Sequence, residues 1–144
     1  MSRRKIGKES VERWESPKVV FVCLHGAAKS VIAAAYWNRL ADERGIHMRA
    51  TAAGIEPDPD IPSAVRDGLR ADGLEIGDMR PRPVSREELR SAARVVSFGC
   101  DLSDVAPRGR FVERWDEVPA VNDGFPAARD AIVARVRRML DLYG

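Results

Sequence analysis

One short segment of the chain combines residue types that can do chemistry together. Cys23 is followed by five residues and then by Lys29 and Ser30, in the order Cys-Leu-His-Gly-Ala-Ala-Lys-Ser. Small residues allow successive backbone N–H groups to point inward at an oxyanion, and the lysine adds a full positive charge. Gly26 can take the left-handed conformation that folds the loop back. The same field and a serine hydroxyl favour the thiolate form of a cysteine. We therefore predict a nucleophile at Cys23, stabilised by Ser30, with an oxyanion held by Leu24, His25, Gly26, Ala27, Ala28 and Lys29.

Two other interpretations of this segment fit the sequence less well. A lone cysteine at the end of a strand is more often a small buried apolar residue. Here, however, the strand, the small residues, the cation, the serine and a following helix occur together. A nucleotide P-loop also ends in a lysine and a serine, but it needs an earlier glycine, and the four residues before Gly26 begin with Val22. An anion-binding loop with a reactive thiol remains the favoured interpretation.

The flanking sequence predicts the elements that position this loop. Residues 19–23 form a continuous apolar, β-branched run, typical of a strand buried on both faces of a parallel sheet. A helical period follows from Val31 until Gly45. Further strands are predicted at 47–53, 94–98 and 111–112, and helices at 63–71, from Ser85 with a capping box to Glu88, and at 125–142. This alternation predicts a doubly wound α/β fold, in which sites lie at the carboxyl ends of strands.

Composition limits the classes of protein to consider. The 144 residues suffice for one domain, and 24 cationic against 22 acidic residues give a net charge of +2, which does not favour nucleic-acid binding. No apolar run is long enough to span a membrane, and two cysteines do not make a disulfide scaffold, so we expect a cytoplasmic protein with reduced thiols. We expect residues 1–17 to be a mobile extension and residues 18–144 a single domain.

On these residues the chain resembles the low-molecular-weight protein tyrosine phosphatase superfamily, which includes thiol-dependent arsenate reductases. The resemblance rests on the Cys23 loop after Val-Val-Phe-Val, on Ala-Gly-Ile-Glu-Pro at 53–57, on Val-Val-Ser-Phe at 95–98 with Asp101, and on Trp115 with Pro119. It implies a three-layer, phosphotyrosine-phosphatase-I-like fold with a four-stranded parallel sheet and helices on both faces. It also implies a cysteinyl covalent intermediate and neither metal nor cofactor.

Departures from the phosphatase pattern point to a subfamily. Phosphatases usually carry Arg where this chain has Lys29, and only four of its 24 cationic residues are lysines. Losing a planar, bidentate donor weakens the hold on phosphate oxygens. Phosphatases also place an Asp-Pro pair in the late loop, and here the pair is Val118-Pro119. The branch most similar in pattern, the arsenate–mycothiol transferases, uses Lys at this position.

The resemblance therefore implies an arsenate reductase that transfers arsenic to an external low-molecular-weight thiol such as mycothiol. Asp116 or Glu117 would be its acid. Cys100 could be a resolving thiol, although it is offset by one from the Gly99 position of relay reductases, and their other cysteine falls on Ala106. We expect Trp115 either to wall the pocket or to lie in the core, with the wall favoured, and Asp101 either to contact the loop or to form a turn.

Two further functions stay open on the sequence. One is a phosphatase that hydrolyses phosphotyrosine or aryl phosphates, and the other is a catalytically degenerate oxyanion-binding module. Among partners, we expect an oxyanion substrate, arsenate or a phosphate ester, and a small thiol, with neither nucleic acid nor membrane. The oligomeric state is left open by the sequence.

Overall fold

Strands and helices alternate as expected in the computed structural model, which describes residues 18–144. The predicted extension of residues 1–17 lies outside the described residues. The strands are β1 (Lys18–Cys23), β2 (Arg49–Gly54), β3 (Arg94–Ser97) and β4 (Glu113–Arg114). The helices are α1 (Lys29–Arg44), α2 (Ser63–Ala71), α3 (Arg86–Ser91) and α4 (Phe125–Leu140), with a 3₁₀ turn at Val121–Asp123 before α4.

The four strands form one parallel sheet in the order β2-β1-β3-β4. The most apolar strand, β1, lies inside the sheet, and Cys23 at its carboxyl end pairs in register with Gly54 of β2. Connections between parallel strands bring their carboxyl ends to one edge of the sheet. The loops that follow β1, β2 and β3 therefore meet at that edge.

Helices cover both faces of the sheet, which confirms the predicted doubly wound architecture. Alternate residues of β1 point to opposite faces, so that Phe21 joins a core with α1, α2 and α4, while Val22 packs towards α3. The larger core holds the aromatic side chains of Phe21, Trp37 and Phe98. A wholly apolar strand is thus explained by burial on two sides.

Two boundaries differ from the sequence prediction. The last strand is β4 at 113–114 rather than 111–112, and Phe111 is exposed. The register of β4 is held by Trp115. Its N–H donates to the Ser97 carbonyl, and its ring packs against Phe21 in the core. The final helix ends at Leu140 rather than residue 142. Most other bounds agree within two residues, including the Ser85 cap, which accepts a hydrogen bond from the Glu88 N–H.

A polar cluster ties three helices together beside the larger core. The Asp72 carboxylate, at the end of α2, accepts hydrogen bonds from Tyr36 of α1 and Arg129 of α4. Burial together with the Asp72 carboxylate raises the pKa of Tyr36 to about 12. Although burial alone would raise the pKa of Asp72, the hydrogen bonds from Tyr36 and Arg129 hold it below its usual value.

Replacing Asp72 by Asn should make the fold less sensitive to acid. A carboxyl whose pKa is lowered by folding stabilises the protein above its unfolded pKa of about 4, and that stabilisation is lost as the pH falls further. We expect Asp72→Asn to cost about 1–2 kcal/mol at neutral pH, with the difference shrinking below about pH 4. Urea unfolding over a pH series, with Asp67→Asn of the exposed face of α2 as control, measures this. A difference that stays constant down to pH 3 would contradict it.

Candidate active site

The Cys23 loop is held against the end of β2 by a contact between two glycines. Gly26 has a φ of 61°, the left-handed conformation predicted for it, which turns the loop back on itself. A Cβ atom added to Gly26 would lie 2.7 Å from the Gly54 nitrogen, and one added to Gly54 would lie 2.5 Å from the Gly26 nitrogen. Neither position has room for a side chain, so the backbone of the loop packs directly against the backbone of β2.

The segment after β2 continues the pairing along the loop. Ile55, Glu56 and Asp58 donate backbone hydrogen bonds to the carbonyl groups of residues 23, 24 and 25, at N···O distances of 3.4, 2.8 and 3.1 Å. The carbonyl groups of residues 23–25 are therefore paired with the segment after β2.

Backbone N–H groups of residues 24–28 find no acceptor among residues 18–144. They lead directly into α1, whose first turn has no side-chain cap and no acidic residue. Unsatisfied N–H groups at a helix N-terminus carry positive potential and bind anions well. We call the N–H groups of residues 24–28 the cradle; that they hold the oxygens of a tetrahedral anion stays a prediction.

Cys23 lies beneath this cradle beside a buried hydroxyl. Its Sγ is 3.0 Å from the Ser30 Oγ, and the Ser30 side chain is fully buried. A hydroxyl in this position donates to a thiolate when the thiol ionises, and a hydrogen bond to a charged group is stronger than one between neutral groups. The structure thus places Ser30 where the sequence predicted a thiolate stabiliser.

Lys29 bridges the loop and the late segment of the chain. Its Nζ donates a hydrogen bond of 2.9 Å to the Val118 carbonyl. An ammonium group has three donors, so two remain for an oxyanion in the cradle. The Val118 side chain points into the core and is 4% exposed, so an acid at this position would be buried rather than presented to substrate.

A cleft of about 340 Å³ opens above the thiol. Its charged lining residues are Lys29, His25 and Asp58, and the late segment contributes Ala120, Val121 and Asn122. The His25 Nδ1 lies 3.3 Å from an Asp58 carboxylate oxygen and 3.1 Å from the Glu56 carbonyl.

Asp58 and Asn122 were missed in the sequence analysis. The signal for Asp58 was its place after the carboxyl end of β2, where sites of this fold gather. Asn122 lies in a segment without a strong pattern.

Neither acid proposed from sequence lines this cleft. The Asp116 carboxylate accepts a hydrogen bond of 2.9 Å from Arg114, and the Asp116 and Glu117 side chains are exposed. The reason is core packing, because Trp115 before them and Val118 after them are both buried. The two acids are thereby turned to the outer surface of the bend.

Cys100 lies by a different cleft. The lining of that cleft includes Asp101, Arg108 and Arg110 but not Cys23. Burial raises the pKa of the Cys100 thiol, and the nearby Cys23 adds to the rise. Asp101 forms a turn, accepting a hydrogen bond from the Ser103 N–H at 2.9 Å, and this bond lowers its pKa.

Trp115 does not wall the cleft, contrary to expectation. Its ring is buried between Phe21 and Phe98, at 5.6 Å from each ring centroid. The aromatic side chain that lines the cleft is Phe98. Because β4 begins two residues later than predicted, Trp115 follows the strand directly and its ring packs in the core.

Metal binding and membrane crossing are two further possibilities for the same residues. Within 18–144 there is no group of three or more His, Cys, Asp or Glu side chains that could hold a metal ion. No helix in that range is both long and apolar enough to cross a membrane.

A parallel sheet with a thiol beneath an oxyanion cradle defines the class, that of the low-molecular-weight phosphatase superfamily. Residues 18–130 match the family model described as low molecular weight phosphotyrosine protein phosphatase. The chain belongs to this family, as its resemblance implied.

Solved structures of both activities share the fold. The thioredoxin-dependent arsenate reductase of Corynebacterium glutamicum is 26% identical, with a TM-score of 0.75 over 95% of this chain and 69% of that one. An arsenate reductase of Archaeoglobus fulgidus is 27% identical, with a TM-score of 0.66 over 85% and 98%. A low molecular weight protein tyrosine phosphatase of T. tengcongensis is 17% identical, with a TM-score of 0.76 over 88% and 99%, and shows the fold alone.

Ser30→Ala should slow the alkylation of Cys23 selectively. Loss of a hydrogen bond to a thiolate is worth about 1.5–3 kcal/mol, so we expect a reduction of roughly tenfold or more in the rate with iodoacetamide at neutral pH. Mass spectrometry resolves the two cysteines. The matched control is Ser97→Ala, because the buried Ser97 hydroxyl contacts Cys100 instead.

In Ser97→Ala the Cys23 rate should stay at its wild-type value. In the wild type, Cys100 should react more slowly than Cys23, because a raised pKa leaves less thiolate. Equal Cys23 rates in wild type and Ser30→Ala would show that the hydroxyl does not act on the thiol.

Proposed function

We propose that the protein is an arsenate reductase that passes arsenic to an external low-molecular-weight thiol. Cys23 is the nucleophile, Ser30 stabilises its thiolate, and Lys29 with the N–H groups of residues 24–28 holds the oxyanion. The two arsenate reductases with at least a quarter of residues identical support the direction of this proposal.

One observation carries the choice of arsenate over a phosphate ester. The late segment contributes no carboxylate to the cleft, because Val118 is buried and gives its carbonyl to Lys29, while Asp116 pairs with Arg114. A poor leaving group such as a phenol needs an acid positioned to protonate it. Arsenate readily exchanges its oxygens for thiols, so its reduction depends less on an acid in the late segment.

The chemistry needs Cys23 and two small thiols. The Cys23 thiolate attacks arsenic, an S–As bond forms, an As–O bond breaks, and hydroxide leaves as water after taking a proton. A small thiolate then displaces Cys23 from arsenic and restores its thiolate. A second small thiol attacks the sulfur of the released adduct, so that a disulfide forms and the electron pair of the broken S–As bond reduces As(V) to arsenite.

An external thiol suits the position of Cys100. The Cys100 thiol lines a separate cleft and its raised pKa disfavours the thiolate that exchange requires. Mycothiol is one such small thiol, and the cleft above Cys23 is open to solvent. Cys100 is therefore assigned no step.

A second candidate is hydrolysis of phosphotyrosine or aryl phosphates. It is favoured by the match of residues 18–130 to the phosphatase family model and by the Cys23–Ser30 contact, which serves either reaction. A degenerate oxyanion-binding module would keep the cradle and show neither activity.

Arsenite release from arsenate should require Cys23 and survive the loss of Cys100. We expect Cys23→Ser to reduce release to background, because the covalent step is lost, and Cys100→Ser to retain the wild-type rate. The assay supplies reduced protein with arsenate and, in separate reactions, mycothiol, glutathione and 2-mercaptoethanol.

Loss of release in Cys100→Ser would assign the resolving step to Cys100 and contradict the external route. A wild-type protein that releases no arsenite with any thiol, yet hydrolyses p-nitrophenyl phosphate, is a phosphatase. A wild-type protein that shows neither activity would be an anion-binding module.

A further inference from the structure

His25 and Asp58 form the most polar wall of the Cys23 cleft, and the steps above do not use them. Both line the cleft together with Cys23 and Lys29. The two side chains are 50% and 43% exposed, and a carboxylate oxygen of Asp58 lies 3.3 Å from the His25 Nδ1. A backbone hydrogen bond from the Asp58 N–H to the His25 carbonyl fixes the two residues to each other.

The neighbours of Nδ1 determine where the imidazole carries its proton. Nδ1 lies between two acceptors, the Glu56 carbonyl at 3.1 Å and the Asp58 carboxylate at 3.3 Å. A carbonyl and an ionised carboxylate cannot donate, so Nδ1 must bear the hydrogen. In the neutral ring the lone pair is then on Nε2. That nitrogen has no hydrogen-bond partner among residues 18–144 and is the atom that gains and loses a proton.

The charged groups around His25 are few. Asp58 faces it from the segment after β2, and Lys29 and Cys23 share its cleft. The late segment lines the cleft with Ala120, Val121 and Asn122, none of which titrates. His25 is thus a side chain of the cleft whose ring can both donate and accept a proton.

We propose that His25 carries the proton in both half-reactions at Cys23, with Asp58 as its positioning residue. This inference rests on the proposed arsenate reduction. In the first step the Nε2–H of the imidazolium protonates the departing hydroxide, which leaves as water. In the second step the neutral Nε2 takes the S–H proton of the incoming thiol as its sulfur bonds to arsenic. The proton gained equals the proton given, so each turnover restores the imidazolium.

This assignment replaces Asp116 and Glu117 as the source of the proton. Those carboxylates lie on the outer surface of the bend, whereas His25 belongs to the oxyanion loop itself. A donor on the loop moves with the bound anion and needs no closure of the late segment.

The experiment compares wild type with His25→Gln, Asp58→Ala and the double variant. Arsenite release is measured with two thiols, 2-mercaptoethanol and thionitrobenzoate, each at limiting concentration so that the rate reports the thiol-dependent half-reaction. The first is protonated at neutral pH and needs a base, whereas the second is already ionised. Protection of Cys23 from iodoacetamide by arsenate is measured alongside, because a merely structural role for His25 would weaken that protection.

We expect His25→Gln to lose about 10²–10³-fold in rate with 2-mercaptoethanol, and at least tenfold less than that with thionitrobenzoate. Arsenate should still protect Cys23. Asp58→Ala should lose less than His25→Gln, and the double variant should be no slower than His25→Gln, since Asp58 acts through the imidazole.

Losses of equal size with both thiols, or a parallel loss of arsenate protection, would overturn the proton-carrier role while leaving arsenate reduction intact. If the wild type releases no arsenite, the proposed function fails separately, and aryl phosphates test His25. A larger loss in His25→Gln with phenyl phosphate than with p-nitrophenyl phosphate would then support the role, and equal losses would overturn it. A wild type inactive on both substrates overturns both.

Discussion

The site depends on the contact between the bare backbones of Gly26 and Gly54. At 2.5–2.7 Å, a Cβ on either residue would collide with the other, and Gly26 also needs a positive φ. The contact fixes the loop after the central strand to the end of its neighbour. It thereby fixes the position of the loop next to Cys23, whose N–H groups at residues 24–28 have no acceptor among residues 18–144.

In this position the loop keeps backbone N–H groups without hydrogen-bond partners. Its carbonyl groups are paired to residues 55–58, its N–H groups are not paired within the described chain, and α1 begins without a cap or an acidic residue. N–H groups without partners, a helix N-terminus and Lys29 lie around the thiol, an arrangement that favours a bound anion. The N-terminus of α1 lacks the stability that a side-chain cap would add. Stability is recovered elsewhere, in the two apolar cores and in the cluster around Asp72.

Much of this could be predicted from the sequence, at positions where a single residue type meets a single physical requirement. The run at 19–23 predicted the buried strand, Gly26 the left-handed turn, Ser30 the contact with the thiol, and Gly45 the end of α1. Asp116, Glu117 and Trp115 were placed by position relative to a family pattern, and long-range packing decided them instead. Burial of Trp115 and Val118 turns the acids outward, and no local pattern carries that information. Asp58 follows the carboxyl end of β2, which marks it as a candidate, but its contact with His25, 33 positions away, is not visible in the sequence.

The direct test of the oxyanion site is whether inorganic arsenate and phosphate protect Cys23 from alkylation, with Cys100 as the internal reference. Iodoacetamide rates at each cysteine, followed by mass spectrometry against anion concentration, give the answer without assuming any reaction. The cradle predicts that both anions slow the labelling of Cys23 saturably and leave Cys100 unchanged. Labelling of Cys23 that is indifferent to both anions, or equal slowing at the two cysteines, would contradict it.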